Sequence, residues 1–276
     1  MARAFQQGLD HARGTFIARM DADDLNHEQR LEKQLSLLRR EEGLHAVSCQ
    51  VTIRKRQDSG ALTPPDEGYR RFADWLNRLS TPEAIAAARF IDQPIVNPTL
   101  LIRREILEHH GAFRDGLEWA EDYDFWLRLL QAGGRIAKVP EKLYTWTDHP
   151  ARLTRTSAIY SQEAFIRCKA HYLALLPQVQ DRGVALCGAG PIGKAMARAL
   201  RDCRVTTHHF YEVHPRRIGE TIHQCPVLSM DHWGVCEPGK SPVVLGTVGQ
   251  VGKREHLTTL SRERGHTEGV DFFSTA

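Results

Sequence analysis

The sequence predicts an α/β protein of two domains, a mixed sheet with helices followed by a smaller α/β domain. Strand-like apolar runs alternate with amphipathic helical segments along the chain. An acidic cluster follows the first apolar run, and a glycine-rich turn begins a new strand–turn–helix unit at Val184. The length of 276 residues suffices for two modest cores. We place the boundary near residue 180, giving domains 1–180 and 181–276.

The composition is that of a folded globular protein, with 41% hydrophobic and 26% charged residues. The net charge of +3 is spread without a basic stripe, so no nucleic-acid partner is predicted. No apolar run approaches the roughly 20 residues of a membrane helix, and no signal peptide is recognisable, so we expect a cytoplasmic protein. The six cysteines contain no CxxC pair and are predicted to be reduced and mostly buried.

Periodicity predicts the first elements. Phe5, Leu9 and Ala12 share one face of a helix that ends at Gly14. A short strand over residues 15–20 follows and leads directly into the acidic residues.

The next helix is predicted to have Asn26 as its N-cap and Leu31, Leu35 and Leu38 as its buried stripe. Alternation over residues 47–53 then predicts a half-buried strand. The rest of the first domain is predicted, in order, as a loop over 57–68, helices over 69–79 and 82–89, a strand over 99–103, a helix over 122–131, strands over 135–139 and 142–147, a long helix over 157–176 and a polar connector over 177–182.

Two acidic clusters are candidates for chemistry. Asp21 and Asp23 lie at the carboxyl end of the first strand, where open α/β sheets bind ligands, and their hard oxygens suit a divalent cation. The alternative is that these residues cap the following helix. The second cluster, Glu121-Asp122-Tyr123-Asp124, opens a helix, and there too a capping role is the alternative to catalysis.

The run GLDHARGTFIARMDADDLNHEQRLEKQLSLL resembles the centre of a family 2 glycosyltransferase of the GT-A fold, and the resemblance covers about Ala2 to Thr156. Later segments agree in order with pieces of such enzymes: Asn97-Pro98-Thr99, Arg103-Arg104, Gly111 to Arg114, Glu121 to Leu129, and His149-Pro150 through Leu153-Thr154.

This resemblance implies a metal-dependent, inverting transfer of a sugar from a nucleotide-diphosphate donor to a glycan or lipid-linked acceptor. Asp21 and Asp23 would be the DxD pair that holds Mg or Mn against the diphosphate, with Asp23 the more direct ligand. His149 would lie near the metal and Asp122 would be the general base. The alternative for His149 is a surface residue before Pro150.

The resemblance begins at the helix before the DxD strand, whereas the family starts with earlier strands that hold the base and ribose. We therefore expect a partial GT-A domain, explained by a late start, a truncation or a degenerate remnant. The missing strands would leave an open sheet edge through which chains could associate.

In the second domain, Gly188, Gly190 and Gly193 form a GxGxxG turn between a strand and a helix, and Glu212 ends the next strand. These residues predict a Rossmann-like domain that binds NAD or a sugar nucleotide. Pro191 and the short length instead favour glycines that serve helix packing alone. The domain resembles the small nucleotide-binding-like domain appended to some bacterial glycosyltransferases.

The functional alternative to a glycosyltransferase is a noncatalytic remnant whose C-terminal domain binds NAD or a sugar nucleotide. A dehydrogenase ranks last, because no catalytic Tyr-Lys or His pairing accompanies the glycine turn.

Overall fold

A computed structural model describes residues 2–250 and 252–276. The chain divides into two compact units, the first made of residues 2–89 and 93–161 and the second of residues 90–92 and 162–276. The predicted boundary at residue 180, as a limit of separately folding domains, stays a prediction.

The first unit is a mixed α/β structure, as predicted. Its helices are α1 (Ala2–His11), α2 (Arg30–Arg40), α3 (Glu67–Arg78), α4 (Pro82–Ala88), α5 (Arg104–His110), α6 (Glu121–Gln131) and α7 (Leu153–Thr156). Its strands are β1 (Phe16–Ala18), β2 (Leu25–Asn26), β3 (Ala46–Arg56), β4 (Leu62–Thr63), β5 (Leu101–Arg103) and β6 (Ile136–Asp148). The sheet order is β1-β5-β3-β6-β2, with β4 paired to β3.

Strand β6 is continuous where the sequence predicted two strands. It runs parallel to β3, while the other pairs in this sheet are antiparallel. The pairing shifts beside Cys49 and Gln50, which face Val139 and Lys142. Pro140 lies in the skipped positions, and a bulge accommodates its missing amide without ending the strand.

Each face of this sheet carries an apolar core because successive residues of a strand point to opposite faces. Ala46 of β3 belongs to the cluster that contains Phe125 and Trp126 of α6, and Val47 to the cluster that contains Leu37 and Leu38 of α2.

The prediction for α2 was wrong at two points. Asn26 lies in β2 and the helix is preceded by Gln29, while Leu31 is exposed. The buried stripe instead includes Arg30 and Gln34. Their side chains donate to backbone carbonyls, Arg30 to Pro98 and Arg19, Gln34 to Val47 and Thr99. Polar side chains can occupy inward positions when such partners satisfy them.

The second unit is an α/β structure around a largely parallel sheet. Its helices are α8 (Gln162–Ala174), α9 (Pro177–Arg182), α10 (Pro191–Asp202) and α11 (Lys253–Glu263), and its strands are β7 (Val184–Cys187), β8 (Thr207–Glu212), β9 (Thr221–Ile222), β10 (Cys225–Ser229), β11 (Val243–Gly246) and β12 (Phe272–Ser274). The sheet order is β12-β11-β7-β8-β10-β9, with β9 antiparallel. The five parallel strands are numbered here in chain order, with β7 as strand 1, β8 as 2, β10 as 3, β11 as 4 and β12 as 5. Across the sheet from β10 to β12 their order is then 3-2-1-4-5, which is that of a doubly wound sheet.

The connector predicted over 177–182 is helix α9, and the long helix predicted over 157–176 is shorter. Pro177 explains the separate helix α9 and the C-terminal end of α8, whereas Ala158–Tyr160 of the predicted helix form a separate 3-10 turn. This proline disfavours helical backbone at Leu176, which ends the preceding segment, and it suits the first position of the next helix. Elsewhere the cysteines form no disulfide within the described residues, and five of the six are buried, as predicted. No described helix has the length and apolar character required to cross a membrane.

Candidate functional site

The acidic loop between β1 and β2 is anchored by Asp24. The side chain is buried, Oδ1 accepts from the Thr147 amide at 2.7 Å, and Oδ2 accepts from the Tyr144 hydroxyl at 2.8 Å. The same hydroxyl accepts from the Asp21 amide at 3.3 Å. Burial raises the pKa of Asp24, partly offset by these hydrogen bonds. Asp24 therefore fixes the loop to β6 and has both oxygens engaged.

Asp21 is paired with two arginines. Its Oδ1 lies 3.0 Å from Nη2 of Arg19, and its Oδ2 lies 3.5 Å from Nη2 of Arg152. Each arginine is only about a tenth exposed. The carboxylate is thus neutralised by the protein itself.

Asp23 contacts His149. Its Oδ2 lies 3.1 Å from Nε2 of His149, and both side chains are partly exposed. The structure therefore brings Asp21, Asp23 and His149 together, three residues that the sequence analysis grouped as metal ligands.

The donor set fits a divalent cation. Asp21, Asp23 and Asp24 each offer a carboxylate oxygen within 4.8 Å of the others. Because Asp24 is fully engaged, the residues able to hold an ion are Asp23 and His149, with Asp21 as a third ligand shared with its arginines. Carboxylate oxygens with one imidazole suit Mn²⁺, and the oxygens alone suit Mg²⁺.

Asp122 lies in the first turn of α6. Its Oδ2 accepts from Nε2 of Gln93 at 3.0 Å, and its Oδ1 accepts from the Tyr123 amide at 2.8 Å. Burial, reinforced by the charge of Glu121, raises the pKa of Asp122 to about 6. The position preceding the helix is Ala120, whose side chain makes no cap. The pKa of Asp122 is thus raised towards neutral, and its carboxylate also accepts a hydrogen bond from one amide of its own helix.

Arg19 links the two acidic clusters. It pairs with Asp21, and its charge also lowers the pKa of Asp122 against the effect of burial. Beside Asp122 in the chain, Glu121 has both carboxylate oxygens within hydrogen-bond distance of the Tyr160 hydroxyl, at 3.2 and 3.1 Å.

Four side chains of this site were missed by the sequence analysis: Arg19, Gln93, Arg152 and Tyr160. All four lie outside the strands, where no periodicity indicates which side chains turn towards the site.

The glycine turn of the second unit divides into two kinds of position. A Cβ on Gly193 would lie 2.0 Å from the Gly188 carbonyl oxygen. Gly188 itself has a φ of 112°, and a Cβ added there would lie 2.7 Å from the Val248 side chain. Packing therefore accounts for both glycines. A Cβ on Gly190 would meet only Nη1 of Arg217, at 3.8 Å, so packing does not account for Gly190.

Glu212 is held by its own surroundings. Its carboxylate accepts from the amides of Val213, His214 and Ala189 at 2.8, 3.1 and 3.2 Å. Burial would raise the pKa of Glu212, but these amides and Arg217 outweigh it and the pKa lies below its ordinary value. One amide of the glycine turn is thereby occupied by a side chain of the same unit.

Comparison with known proteins identifies relatives of one kind. An uncharacterized glycosyltransferase of Haemophilus influenzae is 29% identical over 157 residues, which is 56% of this chain and 46% of that protein. The amylovoran biosynthesis glycosyltransferase AmsE of Erwinia amylovora is 23% identical over 188 residues, 63% of this chain and 65% of the relative. The chain thus spans less than two thirds of each.

Among solved structures, S. aureus TarS 1-349 in complex with UDP-GlcNAc matches with a TM-score of 0.45 and 17% identity, over 72% of this chain and 52% of the TarS 1-349 chain. The family described as glycosyltransferase like family 2 matches residues 1–167, well over half of the sequence. On that match, this chain belongs to the family 2 glycosyltransferases.

Proposed function

We propose that this chain transfers a sugar from a nucleotide-diphosphate donor to a glycan acceptor, with a divalent cation and with inversion at the sugar carbon. The observation that carries the proposal is the placement of Arg19, which pairs with Asp21 at 3.0 Å and acts electrostatically on Asp122. The carboxylate that would help to hold the cation and the carboxylate that would act as the base therefore both interact with Arg19.

The acidic loop would bind the donor end. Asp23 and His149 would hold Mg²⁺ or Mn²⁺, with Asp21 as the further ligand. When bound, the cation would stabilise the negative charge that develops on the leaving diphosphate. Asp24 and Tyr144 keep the loop in the position that this role requires.

Asp122 would accept the proton of the acceptor hydroxyl. With a pKa of about 6 the carboxylate is mostly ionised at neutral pH, yet it is more basic than an ordinary aspartate. Gln93 fixes one oxygen and the Tyr123 amide fixes the other, which limits the directions from which a hydroxyl can approach. Attack from the side opposite the diphosphate gives inversion.

The acceptor is proposed to belong to surface polysaccharide assembly. The Erwinia relative is named for amylovoran biosynthesis, which supports a glycan acceptor. The acceptor would be lipid-linked, and the protein would reach it from the cytoplasm.

The test is release of nucleoside diphosphate from candidate sugar donors, with UDP-GlcNAc and GDP-mannose as the first two. We expect release that requires Mn²⁺ or Mg²⁺ and is lost in Asp23→Ala and in Asp122→Asn. A matched control is Asp66→Asn, which removes an exposed carboxylate whose ion pair is with Lys55. Turnover that survives both site variants would contradict the proposal.

A second candidate function concerns the second unit, which would bind NAD or a sugar nucleotide. The observation that favours it is the open space at Gly190, where the backbone of the glycine turn is approachable. The engagement of Glu212 by three amides counts against a role for that carboxylate in holding ribose.

A further inference from the structure

The side chain of Gln93 makes two hydrogen bonds through one nitrogen atom. Its Nε2 donates to the Ile95 carbonyl at 2.9 Å and to Oδ2 of Asp122 at 3.0 Å. A backbone carbonyl and an ionised carboxylate can only accept, so the amide must turn its NH₂ group towards both. Because the rotated amide would set an oxygen against the Ile95 carbonyl, that carbonyl fixes Gln93 as a donor to Asp122.

A fixed donor distinguishes the two protonation states of Asp122. Oδ2 accepts from Gln93, and Oδ1 accepts from the Tyr123 amide at 2.8 Å. A proton on either oxygen would weaken one of these hydrogen bonds, so both bonds favour the ionised form. The Tyr123 amide belongs to the backbone of the helix that carries Asp122. Gln93 is therefore the donor that a substitution can remove.

Charged and titratable groups from three parts of the first unit also act on Asp122. Burial of Asp122 and the charge of Glu121 disfavour the ionised carboxylate, whereas the charge of Arg19 favours it. The Tyr160 hydroxyl, which hydrogen-bonds to Glu121, also interacts electrostatically with Asp122. Gln93 thus acts together with Arg19, against burial and a neighbouring carboxylate.

We propose that Gln93, oriented by the Ile95 carbonyl, keeps Asp122 ionised and able to accept a proton near neutral pH. The inference rests on the proposed function and deepens it by naming a positioning residue for the base. In the transfer, the acceptor oxygen bonds to the sugar carbon, the bond from that carbon to the diphosphate breaks with its electron pair, and the acceptor proton moves to Asp122. Gln93 takes no part in these bond changes and acts through Asp122 alone.

The first variant is Gln93→Met, which keeps the length of the side chain and removes the donor. We expect the titration midpoint of Asp122, and with it the acidic limb of donor turnover, to move upward from about pH 6 by about one pH unit. Turnover should then be about fivefold below native at pH 6 and close to native at pH 8. A matched control is Gln50→Met, which removes another partly buried amide, one that donates to the Asn77 carbonyl at 2.9 Å, and should leave both midpoints unchanged.

A second variant, Gln93→Glu, keeps the size and polarity of the side chain. It sets a carboxyl group against Oδ2 of Asp122 and the Ile95 carbonyl, where it can donate only when protonated. Two carboxyl groups at this distance favour sharing one proton. We expect the acidic limb of turnover to move upward at least as far as in Gln93→Met, with partial recovery at pH 8.

Two measurements are made on each variant. The carboxyl carbon resonance of Asp122, assigned by its loss in Asp122→Asn, is followed by nuclear magnetic resonance between about pH 4 and about pH 9. Release of nucleoside diphosphate from UDP-GlcNAc and GDP-mannose is measured with Mn²⁺ over the same range.

The two measurements separate this inference from the proposed function. An unchanged or lowered midpoint of Asp122 in Gln93→Met overturns the inference, as does an equal rise in Gln50→Met. The proposed function stands in those cases if native turnover still requires Asp122. A raised midpoint in a chain without turnover supports the action of Gln93 on Asp122 and contradicts the proposed function.

Discussion

His149 contacts Asp23, with its Nε2 atom 3.1 Å from Oδ2 of the carboxylate, although 126 positions separate the two residues in the sequence. The contact exists because β6, which precedes His149, is the sheet neighbour of β2, which follows the acidic loop. An imidazole and a carboxylate at this distance, both partly exposed, can share one metal ion without moving far.

Adjacent aspartates of the loop should respond differently to truncation. Asp23→Ala should leave the free energy of unfolding within about 0.5 kcal/mol of the native value while weakening Mn²⁺ binding at least about tenfold. Asp24→Ala should cost about 2–4 kcal/mol, because the buried Thr147 amide and Tyr144 hydroxyl lose their acceptor. Urea denaturation and Mn²⁺ titration of both variants check this. Equal stability losses would show that Asp23 is also structural.

Asp122→Asn should abolish turnover without weakening the fold. Because the pKa of Asp122 is raised in the folded state, ionisation at neutral pH opposes folding, and stability falls as pH rises from about 4 to about 6. The amide variant lacks this loss and should be as stable as the native chain at pH 7, or more so by on the order of 1 kcal/mol. Native turnover should decline below about pH 6.

The measurements are donor turnover between pH 5 and 8 and urea denaturation, each made on the native chain and on Asp122→Asn. An Asn variant that turns over normally but loses about 1 kcal/mol of stability would identify the carboxylate as a helix cap.

The glycine turn allows a paired substitution. Gly193→Ala should lower the melting temperature sharply, since its Cβ would lie 2.0 Å from the backbone oxygen of Gly188. Gly190→Ala should leave the unliganded melting temperature nearly unchanged, because its φ of −76° suits alanine and only Arg217 is near. If the second unit binds NAD or a sugar nucleotide, the native chain should gain thermal stability with that ligand and Gly190→Ala should not. No shift with any of these ligands would leave packing as the role of the turn.

Lys138 should make stability rise with pH above neutrality. Burial lowers the pKa of its amine to about 7, so the folded state releases a proton that the unfolded chain keeps up to about pH 10. Folding is therefore favoured progressively as pH rises from 7 towards 9. In Lys138→Met the rise should shrink by about 1–2 kcal/mol, whereas Lys142→Met, an exposed lysine of the same strand, should keep it. Denaturation at pH 7 and pH 9 measures the difference.

The sequence predicted the strands well where apolar residues alternate, as over 47–53, or where a short apolar run meets a glycine turn, as at Val184. The prediction of the buried face of α2 was wrong because Arg30 and Gln34 are buried. Their side chains donate hydrogen bonds to the carbonyls of Pro98 and Thr99, which only the tertiary structure brings near. Arginine and glutamine are usually exposed, so the sequence pattern predicts the buried face of α2 from its leucines alone.

The same limit applies to the site. The sequence identifies Asp21, Asp23 and Asp122 because they belong to short motifs that follow one another along the chain in the order typical of the family. Gln93 and Arg152 were not, because their contacts join segments far apart in the chain and depend on where loops turn. The role assigned to Gln93, like those assigned to the aspartates, stays a prediction until the variants are measured.

The three-residue stretch Phe90–Asp92 belongs to the second unit, although its flanking residues belong to the first. Its Ile91 carbonyl accepts from the buried amine of Lys169 at 2.8 Å, and the Phe90 ring meets the Phe273 ring at 5.6 Å. A fragment cut from the gene after Ser161 would carry Lys169 and Phe273 without these partners. Dissecting this protein into halves by a single cut therefore leaves one half incomplete, and a faithful dissection must graft the stretch back.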